Sequence, residues 1–162
     1  MSIFNLNSIG PEKNEPMISR RVFFTGTSAV KKGQALVWDL LPSSGQPAVG
    51  QCVKTPTSTY KYHFAGVALH SYKANSAGQW IDIALPGSVC ECLVGPATTA
   101  GTTNVVFSQT DGKFGKVSST AETGCGVAVA LQANSTAAAN GVLIKCLLLD
   151  GTDAVAPAFA AS

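Results

Sequence analysis

Residues 79–94, QWIDIALPGSVCECLV, decide the fold class of this chain. Two runs of alternating apolar and polar residues, 79–85 and 88–94, flank the dipeptide Pro86-Gly87. Because successive side chains of a β-strand point to opposite faces, this alternation predicts strands rather than helices. Proline followed by glycine is typical of a turn, so the stretch is predicted to form two strands joined in a hairpin.

The predicted hairpin sorts its side chains onto two faces. One face carries Ile81, Ile83, Cys90 and Cys92, and the other carries Trp80, Asp82 and Glu91. Burial of two unpaired carboxylates would be costly, so the face with the thiols is expected to line the core. Trp80 is then an exposed aromatic residue that is available to a partner.

Short strands separated by Gly, Pro, Asn and Asp continue along the rest of the chain. We predict further strands at 18–24, 35–39, 49–53, 60–69, 104–108, 113–117, 126–132 and 141–149. The Thr-Asp-Gly sequence at 110–112 predicts a hairpin between two of them. No window of about 12 residues carries the apolar spacing of an amphipathic helix. The fold is therefore predicted to be all-β, a compact β-sandwich or β-barrel-like domain of short antiparallel strands.

Three segments are expected along the chain. Residues 1–17 hold Pro, Gly, Asn and mixed charge without either periodicity, which predicts an extended N-terminal arm. Residues 18–150 are expected to form the β-domain, and the Ala-rich residues 151–162 a C-terminal tail.

Within the β-domain one pattern occurs twice, at 32–69 and at 101–131. It consists of a glycine, an apolar strand that ends in an aromatic residue, a glycine turn, and then Gly-Val-Ala. The recurrence predicts two related strand-turn-GVA halves. In each half, the glycine before Val-Ala predicts a close approach or a β-bulge where the chain enters a core strand.

The composition excludes several functional classes. Charged residues make up 12% of the 162 residues, the net charge is +2, and 67 residues are Ala, Gly, Ser or Thr. A chain that is 46% hydrophobic is not a disordered tail, and so small a charge gives almost no field that attracts phosphate. The longest apolar run is too short to span a bilayer, and no apolar signal segment follows Met1. We therefore expect no nucleic-acid or membrane partner, and synthesis in a reducing cytoplasm.

The five cysteines are expected to be buried free thiols. They are Cys52, Cys90, Cys92, Cys125 and Cys146. An odd number without a CxxC pair suits neither a disulfide framework nor a zinc site. The sequence thus predicts no metal ligands and no cofactor.

Two patterns in the sequence are candidate catalytic sites. Asp82 and Glu91, opposite each other in the hairpin, could be the acid and nucleophile of a glycosidase, but their neighbours predict a flat sheet face rather than a cleft. His63 and His70 are the two histidines, and no GxSxG nucleophile motif accompanies them. We therefore predict that no residue is catalytic and that the protein is not an enzyme.

Two basic pairs, Arg20-Arg21 and Lys31-Lys32, are too short for a phosphate-binding loop. Arg20-Arg21 lies beside Phe23-Phe24, and this combination suits either an anchor of the arm on an acidic protein surface or a solvated strand end. The predicted partner-binding residues are Arg20, Arg21, Phe23, Phe24 and Trp80.

In their order along the chain, the motifs of the double pattern resemble the tailed-phage capsid decoration, or cement, proteins. The motifs lie at 33–38, 64–69, 76–83 followed by 86–87, 105–107, 111–112, 124–129 and 141–147. The resemblance covers about residues 30–150. This chain departs from the family pattern in a long loop at 41–59 and in Gln79, where an acidic residue is commoner.

The resemblance implies a structural virion protein without enzymatic activity. Such a protein is made in the host cytoplasm, binds the outside of a phage capsid, and stabilises contacts between major capsid subunits. It commonly acts as a homotrimer. Two other functions remain open from the sequence: a carbohydrate-binding β-module that uses Tyr60, Tyr62 and Trp80, and a hydrolase built on Asp82 and Glu91.

Overall fold

The structure is a computed structural model that describes residues 15–57, 63–95, 105–108, 112–116, 128–133 and 140–149. Most of the predicted N-terminal arm and the whole predicted C-terminal tail lie outside these residues. Among the described residues, no helix is long and apolar enough to cross a membrane.

Ten strands make up the described fold. They are β1 (Ser19–Phe24), β2 (Ala35–Trp38), β3 (Cys52–Lys54), β4 (Phe64–Ala68), β5 (Gln79–Ala84), β6 (Val89–Val94), β7 (Val105–Ser108), β8 (Phe114–Lys116), β9 (Ala128–Ala130) and β10 (Val142–Leu148). Nine strands fall within predicted runs, β3 extends one residue beyond the run predicted at 49–53, and the all-β prediction is confirmed. The predicted hairpin around 110–112 is also confirmed, because β7 and β8 pair antiparallel.

The strands close into two five-stranded barrels. Barrel 1 has the order β1-β3-β2-β4-β5, and barrel 2 has the order β6-β8-β7-β9-β10. The second order is the first with every strand number raised by five. In each barrel the described pairings are antiparallel except one, β1 with β3 and β6 with β8. Closure pairs both edges of every strand in the ring, which removes exposed sheet edges.

The hairpin predicted at Pro86-Gly87 is wrong. Strand β5 pairs with β1 and β4, whereas β6 pairs with β10 and β8, so the turn connects the two barrels. Ser88 N–H donates to Leu85 O at 3.2 Å, and Gly87 has φ +89°, as in a type II turn. The twist of that turn matches a hairpin poorly, and the two strands separate.

The predicted side-chain faces are nevertheless confirmed. The side chains of Ile81, Ile83, Cys90 and Cys92 are buried, whereas Trp80 and Glu91 are exposed. Alternation with period two belongs to a strand whichever strand lies beside it.

Two hydrophobic clusters form the core. The first lies in barrel 1 and consists of Val22, Phe24, Val30, Leu36, Val53, Ala65, Ala68, Ile81 and Ile83. The second combines barrel 2 with three residues of barrel 1, and consists of Ala35, Val67, Ala84, Cys90, Cys92, Val94, Phe114, Ala128, Ala130, Ile144, Cys146 and Leu148. Barrel 1 therefore packs one outer side directly against barrel 2.

Small residues allow this close approach between the barrels. Ala35 N–H donates to Gly112 O at 2.8 Å, and Leu93 N–H donates to Gly33 O at 2.8 Å. The rings of Phe64 and Phe114 meet edge to face across the boundary, with centroids 6.3 Å apart. The abundance of small residues thus has a structural use, because main chains of the two barrels bond to each other directly.

The glycine of the first Gly-Val-Ala motif is Gly66. The register between β2 and β4 shifts opposite it, between Leu36 and Val37, as at a β-bulge. A Cβ at Gly66 would collide with the carbonyl oxygen of Ala84 on β5. The predicted close approach and irregularity at this glycine are confirmed; Gly126, in the second copy, lies outside the described residues.

Candidate interaction surface

The outer side of the β1–β5 pair presents four side chains. Arg21 lies opposite Asp82, and Phe23 lies opposite Trp80. The rings of Phe23 and Trp80 meet edge to face with centroids 5.5 Å apart, and 46% of Trp80 is exposed. We call these four residues the β1–β5 face. Exposed Trp and Arg beside a second aromatic ring are the residue types enriched in protein interfaces.

Neighbouring residues hold this face in shape. A Cβ at Gly78 would lie 2.7 Å from the ring of Phe23, so the missing side chain lets that ring pack on the strand end. Behind the face, the Asp82 backbone N–H donates to the hydroxyl of Tyr72 at 2.9 Å. The aromatic pair is therefore held by its surroundings rather than projected on a loop.

The remaining predicted partner-binding residues lie elsewhere. Arg20 is half-buried, and its guanidinium lies 5.6 Å from the centre of the Trp38 ring, a cation–π distance. Phe24 has no exposed surface and belongs to the barrel 1 core. As a docking residue Phe24 is wrong, because adjacent residues on a strand point to opposite sides and Phe23 takes the outward one.

The carboxylates considered for a hydrolase are not cross-strand neighbours. Asp82 lies opposite Arg21 in barrel 1, whereas Glu91 lies opposite Lys145 in barrel 2 and forms an ion pair with Lys32. The pairing that would have brought the two carboxylates together depended on the hairpin. The structure therefore removes the basis for that glycosidase arrangement.

The described cysteines are buried free thiols, as predicted. The sulfur atoms of Cys90 and Cys92 lie 4.0 Å apart in barrel 2. Burial, with contributions from Cys146 and Cys90, raises the pKa of the Cys92 thiol well above its usual value. Within the described part of the chain, no group of three or more His, Cys, Asp or Glu residues is arranged to hold a metal ion. Cys125 lies outside it.

His63 is exposed and lies immediately before β4. His70 is also exposed, and its ring meets that of Tyr72 edge to face at 6.4 Å. Tyr60 and Tyr62, which were considered for sugar binding, lie outside the described residues.

A buried carboxylate, which the sequence did not single out, anchors the long loop between β2 and β3. Asp39 accepts hydrogen bonds from Thr25 Oγ1 at 2.7 Å, from Lys54 Nζ at 3.0 Å and from Leu41 N–H at 3.2 Å. Burial opposes ionisation of Asp39, but these three hydrogen bonds and the positive charge of Lys54 outweigh it and lower the pKa of Asp39 below its usual value. In the loop that Asp39 holds, 76% of Leu41 and 59% of Val49 are exposed to solvent.

This arrangement predicts that Asp39 contributes a pH-dependent part of the stability. Because its pKa is lower in the folded than in the unfolded state, the contribution is complete above the unfolded value and is lost as pH falls through the folded value. We expect Asp39→Asn to reduce the free energy of unfolding by about 1–3 kcal/mol at neutral pH. Urea unfolding at several pH values should show the difference from wild type shrinking below about pH 3.8. A difference in unfolding free energy between Asp39→Asn and wild type that does not change with pH would contradict this role of Asp39. The control is Asp82→Asn.

An open cavity of about 440 Å³ lies at the junction of the barrels. Apolar residues of both barrels form much of its lining, among them Leu69, Val89 and Cys90. Its charged rim includes Lys32 with Glu91, and Lys145 with Glu15. Lys32 lies between β1 and β2, and Glu15 lies just before β1, whereas their partners Glu91 and Lys145 lie on strands of barrel 2. Both ion pairs therefore connect the two barrels at this rim.

A comparison with solved structures finds a likeness in fold to a phage protein. In fold the chain is similar to the N base of the head fiber gp8.5 of bacteriophage phi29, with 14% sequence identity, a TM-score of 0.47, and coverage of 82% of this chain and 93% of that chain. No family model and no curated protein matches the chain. A likeness at this identity and TM-score assigns no function, so the proposal below rests on the residues of this chain.

Proposed function

We propose that the protein is a structural component of a phage virion that binds the outside of the capsid and stabilises contacts between major capsid subunits. It performs no chemistry in this role. The observation that carries the proposal is the β1–β5 face, where the Phe23–Trp80 pair lies beside Arg21 and Asp82, outside both hydrophobic clusters. The order of the sequence motifs, which resembles that of capsid decoration proteins, supplies the class of partner.

The two closed barrels suit this role physically. Main-chain hydrogen bonds and a shared core join them, so the molecule can act as a stiff clamp between neighbouring subunits. A ligand that binds only the assembled shell stabilises that shell by linkage. A capsid offers many identical sites, so an oligomer such as the expected homotrimer gains avidity from modest single contacts.

The test is binding to undecorated heads of the virus that encodes the chain. Fluorescently labelled protein should co-sediment with intact heads and saturate at a fixed number of copies per head. It should not bind free coat subunits, because the proposed site lies between subunits. Decorated heads should also release their genome at a higher temperature than undecorated heads. Failure to co-sediment would reject the proposal.

A second candidate function is a carbohydrate-binding module, which the exposure of Trp80 favours. An indole ring on a sheet face is a common type of sugar-stacking surface. A glycan array with wild type and Trp80→Ala separates the two: a signal that Trp80→Ala abolishes would support this candidate. A blank array together with head binding would reject it.

A further inference from the structure

The loop between β2 and β3, part of the long stretch in which this chain departs from the decoration-protein pattern, contains one short sequence unit twice. Residues 42–46 read PSSGQ and residues 47–51 read PAVGQ. Each unit forms a β-turn, in which the glutamine N–H donates to the carbonyl oxygen three residues before it, at 3.1 and 3.0 Å. The glycine of each turn has a positive φ, +88° and +86°, as the third residue of a type II turn requires. The repeat therefore gives the loop two defined turns.

Further hydrogen bonds hold these turns in place. Asp39 holds the start of the loop through the contacts described above. Ser43 N–H donates to Oε1 of Gln46 at 2.9 Å, and the thiol of Cys52 donates to Pro47 O at 3.2 Å. A loop that is fixed before it binds loses little conformational entropy on binding, so its contacts contribute more to affinity.

The two most exposed large apolar side chains among the described residues lie on this loop. Leu41 is 76% exposed and Val49 is 59% exposed, and Leu40 beside them is 39% exposed. No ionisable residue occurs from 40 to 51, and the carboxylate of Asp39 at the base of the loop is buried and paired. Apolar side chains with only uncharged neighbours gain free energy when a partner of the same character removes them from water.

The end of the loop adjoins the β1–β5 face. Phe23 N–H donates to Gln51 O at 2.8 Å, and Phe23 lies opposite Cys52 in the register of β1 with β3. On its other side, the ring of Phe23 contacts Trp80 of β5. Strands β5, β1 and β3 are consecutive in barrel 1, so the aromatic pair and the end of the loop are neighbours on one barrel. A partner that binds the β1–β5 face is therefore also adjacent to the loop.

We propose that the β2–β3 loop is a second part of the capsid-binding surface, and that Leu41 and Val49 insert into an uncharged apolar crevice between coat subunits. The inference rests on the proposed function, because it adds to the same surface and names the character of the site that receives it. A lipid surface fits the loop less well. From 40 to 51 the loop has no Lys or Arg to bind headgroups and no Trp or Tyr to lie at a bilayer interface.

Substitution of the two apolar side chains tests the inference. We expect Leu41→Ser and Val49→Ser each to raise the dissociation constant for undecorated heads about 10-fold or more, the effect of losing one buried aliphatic side chain from an interface. The matched control is Leu131→Ser, because Leu131 is 45% exposed but follows β9 in barrel 2. Co-sedimentation of labelled protein with heads measures the dissociation constants, and thermal unfolding verifies that each variant is folded.

Hydrogen exchange of the wild-type protein gives a measurement that needs no substitution. We expect the backbone amides of residues 44–50 to exchange several-fold more slowly in protein bound to heads than in free protein, because the crevice excludes water from the loop. The amides of β10 should keep their rates. Exchange in the loop that is the same in bound and free protein would overturn the inference.

The outcomes distinguish this inference from the proposed function. Wild-type protein that does not bind heads rejects capsid binding itself. Wild-type protein that binds heads, with loop variants that bind equally well or a Leu131→Ser control that loses as much affinity, overturns the inference and leaves capsid binding intact. Flotation with vesicles of phosphatidylethanolamine and phosphatidylglycerol tests the other partner: binding that Leu41→Ser abolishes, with unchanged binding to heads, would assign the loop to a lipid surface instead.

Discussion

Phe24→Ala should reduce the free energy of unfolding by about 3–5 kcal/mol, the cost of removing a large buried aromatic side chain. Phe24 is wholly buried among Val22, Ile81 and other residues of the barrel 1 core. Its ring lies so close to Gly26 that a Cβ there would be 2.5 Å from Phe24 Cζ. Because the ring fills its space, its loss leaves a cavity that the closed barrel cannot easily collapse. Urea unfolding measures the change.

The neighbouring phenylalanine is the matched control. Phe23 lies on the outer side of β1 and contacts the ring of Trp80. Phe23→Ala should therefore reduce the free energy of unfolding by only about 0.5–1.5 kcal/mol, the value of an aromatic pair. Equal destabilisation by the two substitutions would contradict the assigned strand orientation.

Gly33→Ala should reduce the free energy of unfolding by about 2–4 kcal/mol, combining backbone strain with overpacking. Gly33 has φ +80°, and its Cβ would lie 2.8 Å from the backbone nitrogen of Leu93. Gly33 N–H also donates to Ala68 O at 2.8 Å, so the residue is fixed between the two barrels. To make room, the hydrogen bond from Leu93 N–H to Gly33 O must lengthen or break.

Gly45→Ala isolates the backbone contribution. Gly45 has φ +88°, but nothing lies within 4 Å of a Cβ at this position. We expect it to cost about 1–2 kcal/mol, from the left-handed conformation alone. If denaturant unfolding shows that Gly33→Ala destabilises the protein no more than Gly45→Ala, the close packing of Gly33 against Leu93 at the junction would be contradicted.

The strands were predictable because alternation is a local property. Period two in residues 79–94 identifies β5 and β6 and assigns Ile81 and Cys92 inward, whatever strands lie beside them. Pairing is not local. The strands that flank Pro86-Gly87 belong to different barrels. Strand β5 pairs with β1 and strand β6 pairs with β10, and these two partners lie more than 100 residues apart in sequence.

The candidate site was predictable to the same extent. The outward orientation of Trp80 follows from the carboxylate on its own strand. Its contact with Phe23 does not, because β1 and β5 are separated by three other strands along the chain. Phe24 shows the limit most clearly: its place beside Arg20-Arg21 suggested that both Phe23 and Phe24 bind a partner, whereas strand geometry sends the two rings to opposite sides.

The role of Asp39 in holding the β2–β3 loop had no sequence signal. The lowered pKa of Asp39 depends on Thr25 and Lys54, which three-dimensional folding brings to it.

The most direct test of the capsid-binding proposal is a cryo-electron microscopy reconstruction of heads incubated with the protein, compared with heads that lack it. We expect added density on the outer surface at junctions between coat subunits, into which the paired barrels fit. Heads that are identical with and without the protein, or density confined to the interior, would contradict a role in holding the shell from outside.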